Sequence, residues 1–181
     1  MSHEPSDVDD DAIARLQARP LPTSGIAQAP AASGLYAWWA PLAVLPTLVG
    51  PVHPSEYEVR LLYVGIAAKL RSRLGQNHMK RSGSSTLRRT LSGLLLDEQG
   101  FRTRWTDRVV LVDEDELRLT SWMTAHLRIS WCEHPAPRDV EAAVIERLAP
   151  PLNVDHASGP TRDAIKAARR KCRASAGPPP A

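Results

Sequence analysis

The sequence of 181 residues predicts one α+β domain, with a small, mostly antiparallel, three-stranded sheet flanked by helices. Three observations predict this class. Short runs rich in aromatic and branched residues indicate strands, and leucines at three-and-four spacing indicate helices. The two kinds of segment follow one another in the order strand, strand, helices, strand, helix. A chain of this length has room for one hydrophobic core with a tail on either side of it.

Three runs are of the strand type. Residues 34–39 (GLYAWW) form the first, and residues 60–67 (RLLYVGIA) form the second. The connection between them is long and rich in proline, but the two runs can still pair antiparallel. Residues 128–134 (RISWCEH) alternate between apolar and polar side chains and form the third, which ends before Pro135.

The remaining segments of the central region have a helical period. Two amphipathic helices follow Gly65 and are broken at residues 82–84; their apolar positions are Leu70 and Leu74, then Leu87, Leu91, Leu94 and Leu95. Asp113, with Glu116 three residues later, resembles a capping box that opens a helix towards Leu127. Residues 138–148 form the last helix of the core, before Pro150 and Pro151.

Composition divides the chain into three parts. Residues 1–32 are acidic and then rich in proline and alanine, which indicates a flexible leader with one short helix at 10–18. Residues 33–157 form the folded domain. Residues 158–181 are basic and alanine-rich and end in AGPPPA, which indicates a basic helix followed by a disordered tail.

Several classes of protein are disfavoured by the sequence. No apolar run approaches the roughly 18 residues of a membrane-spanning helix, and the N-terminus does not have the pattern of a secretory signal. The two cysteines provide neither a disulfide framework nor the spacing of a zinc site. We therefore expect a cytoplasmic protein that does not bind membranes.

The distribution of charge is more informative than the net charge of +3. Residues 69–89 contain seven lysines and arginines and no aspartate or glutamate. Such a block suits the neutralisation of phosphates, although a solvated helix face would have the same composition. The residues that we expect to contact nucleic acid are Lys69, Lys80, Arg81, Arg88 and Arg89.

Glu141 is the most informative single residue. Helical spacing places it on one stripe with Val144, Ile145 and Leu148, which is otherwise apolar. An unpaired carboxylate costs several kcal/mol to bury, so Glu141 should meet an arginine or a cation, or lie at the edge of a cleft. A structural salt bridge would satisfy the same constraint. Arg73 raises a similar question, because it lies at the border of an apolar stripe and could bind either a phosphate or a carboxylate.

The local motifs resemble the GIY-YIG nuclease superfamily. Gly34-Leu35-Tyr36 and Tyr63-Val64-Gly65 are similar to the two tripeptides that name the family. Arg73 follows the second tripeptide by eight residues, which resembles the spacing of the family's arginine. The connection between the two tripeptides is longer than in minimal members, which implies an inserted loop.

The resemblance continues to residue 153. His78 comes about one turn after Arg73, and Glu141 precedes Asn153, which follows two prolines, by about a dozen residues. The resemblance implies an endonuclease that depends on Mg²⁺, or on another divalent cation such as Mn²⁺. Glu141 would bind the metal, and Arg73 would neutralise the scissile phosphate.

The resemblance also implies roles for the other residues of the set. Tyr36 would accept the proton of the attacking water and Tyr63 would orient water or phosphate, although the two roles can be exchanged. His78 would hydrogen-bond a tyrosine or the phosphate. Asn153 would brace the site by binding backbone. The partner is nucleic acid, with DNA favoured, and the protein would act as a monomer or a homodimer.

Two alternatives remain open. Ile66 occupies a position where many members of the family carry a polar or basic residue, which leaves open a binding module with weak or no turnover in which Lys69 does not compensate. A protein-interaction scaffold that uses Trp38 and Trp39 is the other alternative, but aromatic residues in a strand are more often part of a core. The enzyme is the interpretation that accounts for the whole ordered series of tyrosines, arginine, histidine, glutamate and asparagine.

Overall fold

The computed structural model describes residues 7–180 and has the predicted α+β class. The main sheet is antiparallel, and a separate two-stranded hairpin lies apart from it. Within the described residues the strands are β1 Leu21–Pro22, β2 Gly34–Pro41, β3 Val59–Ala67, β4 Thr103–Trp105, β5 Val109–Leu111 and β6 Arg128–Glu133.

The main sheet has four strands in the order β1-β6-β2-β3, so the prediction of three strands is one short. The additional strand, β1, pairs with β6 through Leu21 opposite Ile129 and Pro22 opposite Arg128. A pair of residues that includes proline has no alternating pattern, so sequence periodicity gives no sign of it. The antiparallel pairing of β2 with β3 and with β6 follows the prediction.

The helices cover both faces of the sheet. They are α1 Asp7–Leu16, α2 Leu70–Ser72, α3 Thr86–Leu94, α4 Leu96–Gln99, α5 Asp113–His126, α6 Pro137–Leu148 and α7 Gly159–Ser175. Helix α2 continues directly into π-helical turns at Arg73–His78, and a 3₁₀ turn at Ser82–Ser84 precedes α3. None of the helices within residues 7–180 is long and apolar enough to span a membrane.

Strand β2 lies at the centre of two apolar layers, and its first seven residues are all buried. Successive side chains of a strand point to opposite faces. Tyr36 and Trp38 therefore pack in one layer, with residues of α3 and the π-helical turns. Leu35, Ala37 and Trp39 pack in the other, with residues of α1 and α6.

The segment before residue 33 contributes to the second layer. Leu16 has no exposed surface, and its carbonyl accepts a hydrogen bond from the Ser130 hydroxyl on β6. The same hydroxyl accepts a hydrogen bond of 2.8 Å from the indole of Trp39. Helix α1 therefore packs on the sheet, so from residue 7 onward the predicted flexible leader is part of the fold. The boundary predicted at residue 33 marks only a change in composition.

Helix α7 packs closely along α3. Ile165 of α7 is fully buried, and a Cβ at position 93 of α3 would lie 2.6 Å from the carbonyl oxygen of Ala168. Glycine at position 93 therefore permits the approach of the two helices. The Arg169 guanidinium is fixed beside this contact, because its Nε donates to the Thr90 hydroxyl at 2.9 Å.

The β4-β5 hairpin was not expected from the sequence, because its strands have only three residues each. It contacts the end of the chain: the Trp105 indole donates to the Gly177 carbonyl at 2.9 Å, and the Thr103 and Ser175 hydroxyls are 2.7 Å apart. The hairpin and α7 therefore hold each other in place.

Helix α5 begins at Asp113 as predicted, but the predicted capping box is wrong. Val112 precedes the helix, and no side chain caps it. The Glu116 carboxylate instead accepts hydrogen bonds from the backbone and hydroxyl of Ser82, with the backbone bond at 2.8 Å, and from the buried Arg88. A tertiary ion pair thus takes the carboxylate that a local cap would have used.

Gly34 tests the packing of β2 against β6. A Cβ at this position would overlap the Cys132 carbonyl oxygen and lie 2.9 Å from Leu70. We expect Gly34→Ala to lower the free energy of unfolding by about 1–3 kcal/mol, the usual cost of overpacking. Gly75→Ala is the control, since its Cβ would meet only Ile26, at an ordinary 3.5 Å. Denaturant unfolding of both variants makes the comparison, and equal stabilities would contradict this account of the strand contact.

Candidate active site

The two tyrosines of the tripeptides lie on one face of the sheet. Tyr36 on β2 pairs with Gly65 on β3, and Trp38 pairs with Tyr63. The tyrosine ring centroids are 6.3 Å apart. A Cβ at position 65 would lie 2.5 Å from the Tyr36 hydroxyl oxygen, so the absence of a side chain there leaves the space that the hydroxyl occupies.

His78 is fully buried beneath these rings and hydrogen-bonded on both sides. Its Nε2 lies 2.7 Å from the Tyr36 hydroxyl, and its Nδ1 lies 2.7 Å from the hydroxyl of Ser85. Ser85 also caps α3, since its hydroxyl accepts from the Arg88 backbone at 3.1 Å. Because the ring has no exposed surface, His78 acts on the site through Tyr36 and does not reach a phosphate.

Arg73 approaches the same tyrosine from the solvent side. Its Nε donates to the Tyr36 hydroxyl at 3.3 Å, and its Nη1 donates to the Ser84 carbonyl at 3.1 Å. In an α-helix, residues five apart point about 140° away from each other. The π-helical winding of Arg73–His78 changes this angle, so that Arg73 and His78 both contact Tyr36.

Burial sets the protonation of this cluster. It lowers the pKa of His78 from 6.5 to about 3, with the charges of Arg73 and Arg88 acting in the same direction. The imidazole is therefore neutral at pH 7. Burial also raises the pKa of Tyr36 and Tyr63 above 10; Arg73 opposes this rise at both hydroxyls.

Glu141 on α6 is the acidic residue of the cluster. The buried side chains of Val144, Ile145 and Leu148 anchor the stripe on which it lies, and Glu141 itself is half-buried. Burial raises its pKa, and its negative charge contributes to the raised pKa of both tyrosines. Its carboxylate has no hydrogen bond or ion pair with any of the residues that the structure describes.

Asn153 is placed by the segment after α6. Its side-chain amide donates to the Val64 carbonyl at 2.8 Å and accepts from the Val64 amide at 2.9 Å. The Leu152 amide also donates to the Leu62 carbonyl, at 2.9 Å. These bonds hold the backbone on both sides of Tyr63. Asn153 thus positions Tyr63 through the backbone of the neighbouring residue Val64.

The basic residues expected to contact nucleic acid differ in exposure. Lys69, Lys80 and Arg81 are exposed. Arg89 is half-buried, and its guanidinium donates to the Ser82 and Gly83 carbonyls at 2.9 and 3.1 Å. These four side chains remain candidates for phosphate contacts.

The prediction that Arg88 contacts nucleic acid is wrong. Its side chain has no exposed surface and forms an ion pair of 2.7 Å with Glu116. It also donates to the Thr120 hydroxyl at 2.9 Å and to the His78 carbonyl at 3.2 Å. A block of basic residues does not distinguish a buried, paired arginine from an exposed one. The position of Arg88 beside the core residue Leu87 was the available signal.

Two further residues of this region were not singled out from the sequence. Ser85 connects His78 to the start of α3, and a serine directly before a helical stretch is the expected sign of such a cap. Arg169 lies close enough to Tyr63 for its charge to lower the pKa of the hydroxyl. The basic composition of α7 was visible in the sequence, but its approach to the tyrosine was not.

The low pKa of His78 gives a test in pH. Between the unfolded pKa of 6.5 and the folded value of about 3, only the unfolded chain binds this proton, so stability falls as pH falls. From pH 7.5 to pH 5, wild type should lose about 2 kcal/mol more of unfolding free energy than His78→Gln. Denaturant unfolding at the two pH values measures the difference. His156→Gln, at an exposed histidine, should behave like wild type, and an equal loss in His78→Gln would contradict the assignment.

Comparison with known proteins agrees with this geometry. A family model described as the GIY-YIG catalytic domain matches residues 34–175, which extends past Asn153 to the last residue of α7. Comparisons with curated proteins and with solved structures give no significant match. The match covers well over half of the chain and includes both tyrosines, Arg73 and Glu141. The chain therefore belongs to the GIY-YIG family of nuclease domains.

Proposed function

We propose that this protein is an endonuclease that hydrolyses phosphodiester bonds in nucleic acid, with DNA the favoured substrate, and that it requires a divalent cation. The observation that carries the proposal is the convergence of four side chains from separate elements. The rings of Tyr36 on β2 and Tyr63 on β3 have centroids 6.3 Å apart, and Arg73 of the π-helical turns donates to the Tyr36 hydroxyl at 3.3 Å. The charge of Glu141 on α6 contributes to the raised pKa of both tyrosines.

The chemistry requires three contributions. Hydrolysis needs a water that loses a proton, positive charge beside the phosphoryl oxygens and support for the leaving alkoxide. Arg73 supplies the charge on the protein side. Its Nε and Nη1 donate to Tyr36 and Ser84, and its side chain remains partly exposed. Nη2 has no hydrogen-bond partner among the described residues and would be available to a substrate phosphate.

Glu141 is suited to hold a divalent cation. A half-buried carboxylate that no described side chain pairs with is a favourable ligand for Mg²⁺, which commonly takes one or two carboxylates and completes its shell with water and phosphate. No cluster of three or more His, Cys, Asp or Glu side chains occurs within residues 7–180, so water and substrate phosphate would supply most of the ligands beside Glu141. The cation would stabilise charge on the phosphoryl and leaving oxygens.

Burial favours Tyr63 over Tyr36 as the group that accepts the water's proton, which reverses the roles expected from the sequence. Tyr36 is only 1% exposed, and its hydroxyl is held between His78 and Arg73. Tyr63 is partly exposed. The raised pKa of Tyr63 includes a contribution from the negative charge of Glu141, which a bound cation would offset. In this mechanism Tyr36, His78 and Asn153 position the reacting groups.

The alternative of a binding module with weak turnover rests on Ile66. This side chain packs against the apolar layer of α6 and lines a small cleft with Ala67 and Pro137, so it supplies no charge to the site. Lys69 is the nearest exposed lysine in the sequence. An enzyme requires Glu141 and a divalent cation, whereas a binding module requires only its basic surface.

The central test is cleavage by Glu141→Gln. The variant should cut at least about 100-fold more slowly than wild type, because removal of one charge-stabilising ligand costs that much in comparable sites. EDTA should abolish cleavage by wild type. The assay uses a panel of supercoiled plasmid, branched DNA, single strands and structured RNA with Mg²⁺ or Mn²⁺.

Glu146→Gln is the matched control, since Glu146 lies on the same helix but is exposed and off the buried stripe. It should retain wild-type cleavage. If wild type and Glu141→Gln both bind the nucleic acids of the panel and neither cuts them, the nuclease hypothesis is wrong and the binding module is supported.

The two tyrosines can be separated by phenylalanine substitutions. Tyr63→Phe should lower kcat by about 100-fold or more without loss of stability, since general base catalysis contributes that much. Tyr36→Phe leaves the buried Nε2 of His78 unpaired, so it should also lower the free energy of unfolding by about 1–3 kcal/mol. Single-turnover rates and denaturant unfolding measure the two effects. If Tyr36→Phe lowers the rate more than Tyr63→Phe and does not lower stability, Tyr36 is the proton acceptor, as the sequence predicted.

A further inference from the structure

Beside the candidate active site lies a cavity of about 330 Å³ that the mechanism above does not use. Its walls come from α3, the β4-β5 hairpin and α7. Four arginines and one aspartate are among its lining residues: Arg89, Arg108, Arg169, Arg173 and Asp107. Four positive charges and one negative charge leave a net charge of +3 among these residues in a concave site.

The cavity adjoins the site through two of these arginines. Arg73 and Arg89 donate to neighbouring carbonyls of the same 3₁₀ turn, Arg73 to Ser84 and Arg89 to Ser82 and Gly83. Arg169 lies near enough to Tyr63 for each to affect the pKa of the other. A strand held at Arg73 would therefore reach the cavity with an adjacent part of its backbone.

The positive charges of the cavity oppose one another. Burial lowers the pKa of Arg89, and the charges of Arg108, Arg169 and Arg73 lower it further. Burial also lowers the pKa of Arg169. Asp107, the one carboxylate of the lining, already pairs with Arg108 at 2.7 Å. An anion in the cavity would relieve this repulsion, and a phosphate suits the planar donors of arginine.

The remaining wall is apolar. Trp105, Val109 and Cys172 contribute to it, and the Arg173 guanidinium lies 5.6 Å from the centroid of the Trp105 ring. A site for a free inorganic anion would not need this surface, whereas a nucleotide has a sugar and a base that would cover it. The volume also falls in the range of small-molecule sites.

We propose that this arginine cavity binds one nucleotide of the substrate strand adjacent to the scissile phosphate, with its phosphate on the arginines and its sugar or base against Trp105 and Val109. The proposal rests on the proposed function, because it requires a nucleic acid at Arg73. It gives the hairpin and α7 a role: they are fixed to each other at Trp105 and Gly177, and Gly93 brings α7 close to α3.

The test measures binding separately from cleavage. The Glu141→Gln protein is mixed with labelled oligonucleotides in which a single neutral methylphosphonate replaces one phosphate at each position in turn. One position, next to the cleavage site, should weaken binding by about 10-fold, near the lower end of the range for one lost hydrogen bond to a charged group. When Arg108→Ala and Arg173→Ala are added to the Glu141→Gln protein, its affinity for every oligonucleotide should fall. The methylphosphonate next to the cleavage site should then weaken binding no further.

Arg104→Ala is the matched control. Arg104 lies on the same hairpin, pairs with a neighbouring aspartate as Arg108 does, and has a similar side-chain exposure of 51% against 49%. Strand alternation places it on the face opposite Trp105. It should leave the methylphosphonate profile unchanged. Trp105→Leu should weaken binding of an intact strand more than binding of the same strand lacking the base next to the cleavage site.

The outcomes separate the two proposals. Cleavage that depends on Glu141, with a methylphosphonate profile that is the same in the Arg108 and Arg173 variants, would overturn the nucleotide site and leave the nuclease. A profile that depends on these arginines, without cleavage by wild type, would overturn the nuclease and leave the cavity as a nucleotide site of a binding module. A protein that binds none of the oligonucleotides would overturn the nucleotide site. Inorganic phosphate that competes as well as a mononucleotide would reduce the cavity to a simple anion site and also overturn it.

Discussion

The Tyr36 hydroxyl lies over the bare Cα of Gly65, and the arrangement of the site depends on this contact. It requires β2 and β3 to pair in one register, because a slip of one residue between them would place Tyr36 and Tyr63 on opposite faces of the sheet. It also brings the hydroxyl within reach of both His78 and Arg73. A side chain at position 65 would displace the ring and separate all three groups.

A buried polar network supports that contact from below. Arg88 is paired with Glu116 and also holds the His78 carbonyl, while Ser85 holds the imidazole and caps α3. Every one of these groups would be costly to bury alone, and together they satisfy one another. The network joins α3, α5 and the 3₁₀ turn, so the electrostatics of the tyrosine cluster and the packing of the helices are coupled.

Periodicity and local motifs predicted most of this architecture. They gave the α+β class, the three long strands, helix α6 and the residues that meet at the tyrosines, because each of these depends on patterns within a few residues. They missed β1 and the β4-β5 hairpin, whose strands are too short for a pattern. The sequence patterns also gave the wrong environment for Arg88 and Glu116. These two residues are 28 positions apart in the chain, and whether they face solvent or pair with each other depends on that distant contact.

The site shows the same division. The identity of its side chains follows from the order of motifs, but their exposure does not, and exposure is what distinguishes the two tyrosines. The angle at which Arg73 and His78 meet Tyr36 depends on π-helical winding, which the leucine spacing does not reveal. The closeness of α7 to Tyr63 depends on Gly93, a residue whose importance is apparent only from the neighbour that it admits.

The strand order β1-β6-β2-β3 has a consequence for how the chain folds. β2 and β3 are neighbours in sequence and can form a hairpin early, but β6, which borders β2 on its other side, lies about ninety residues further along the chain. Until β6 is in place, the apolar run of β2 presents unpaired backbone groups to its surroundings. Pairing with β6 therefore covers an apolar strand edge through which incompletely folded chains could associate.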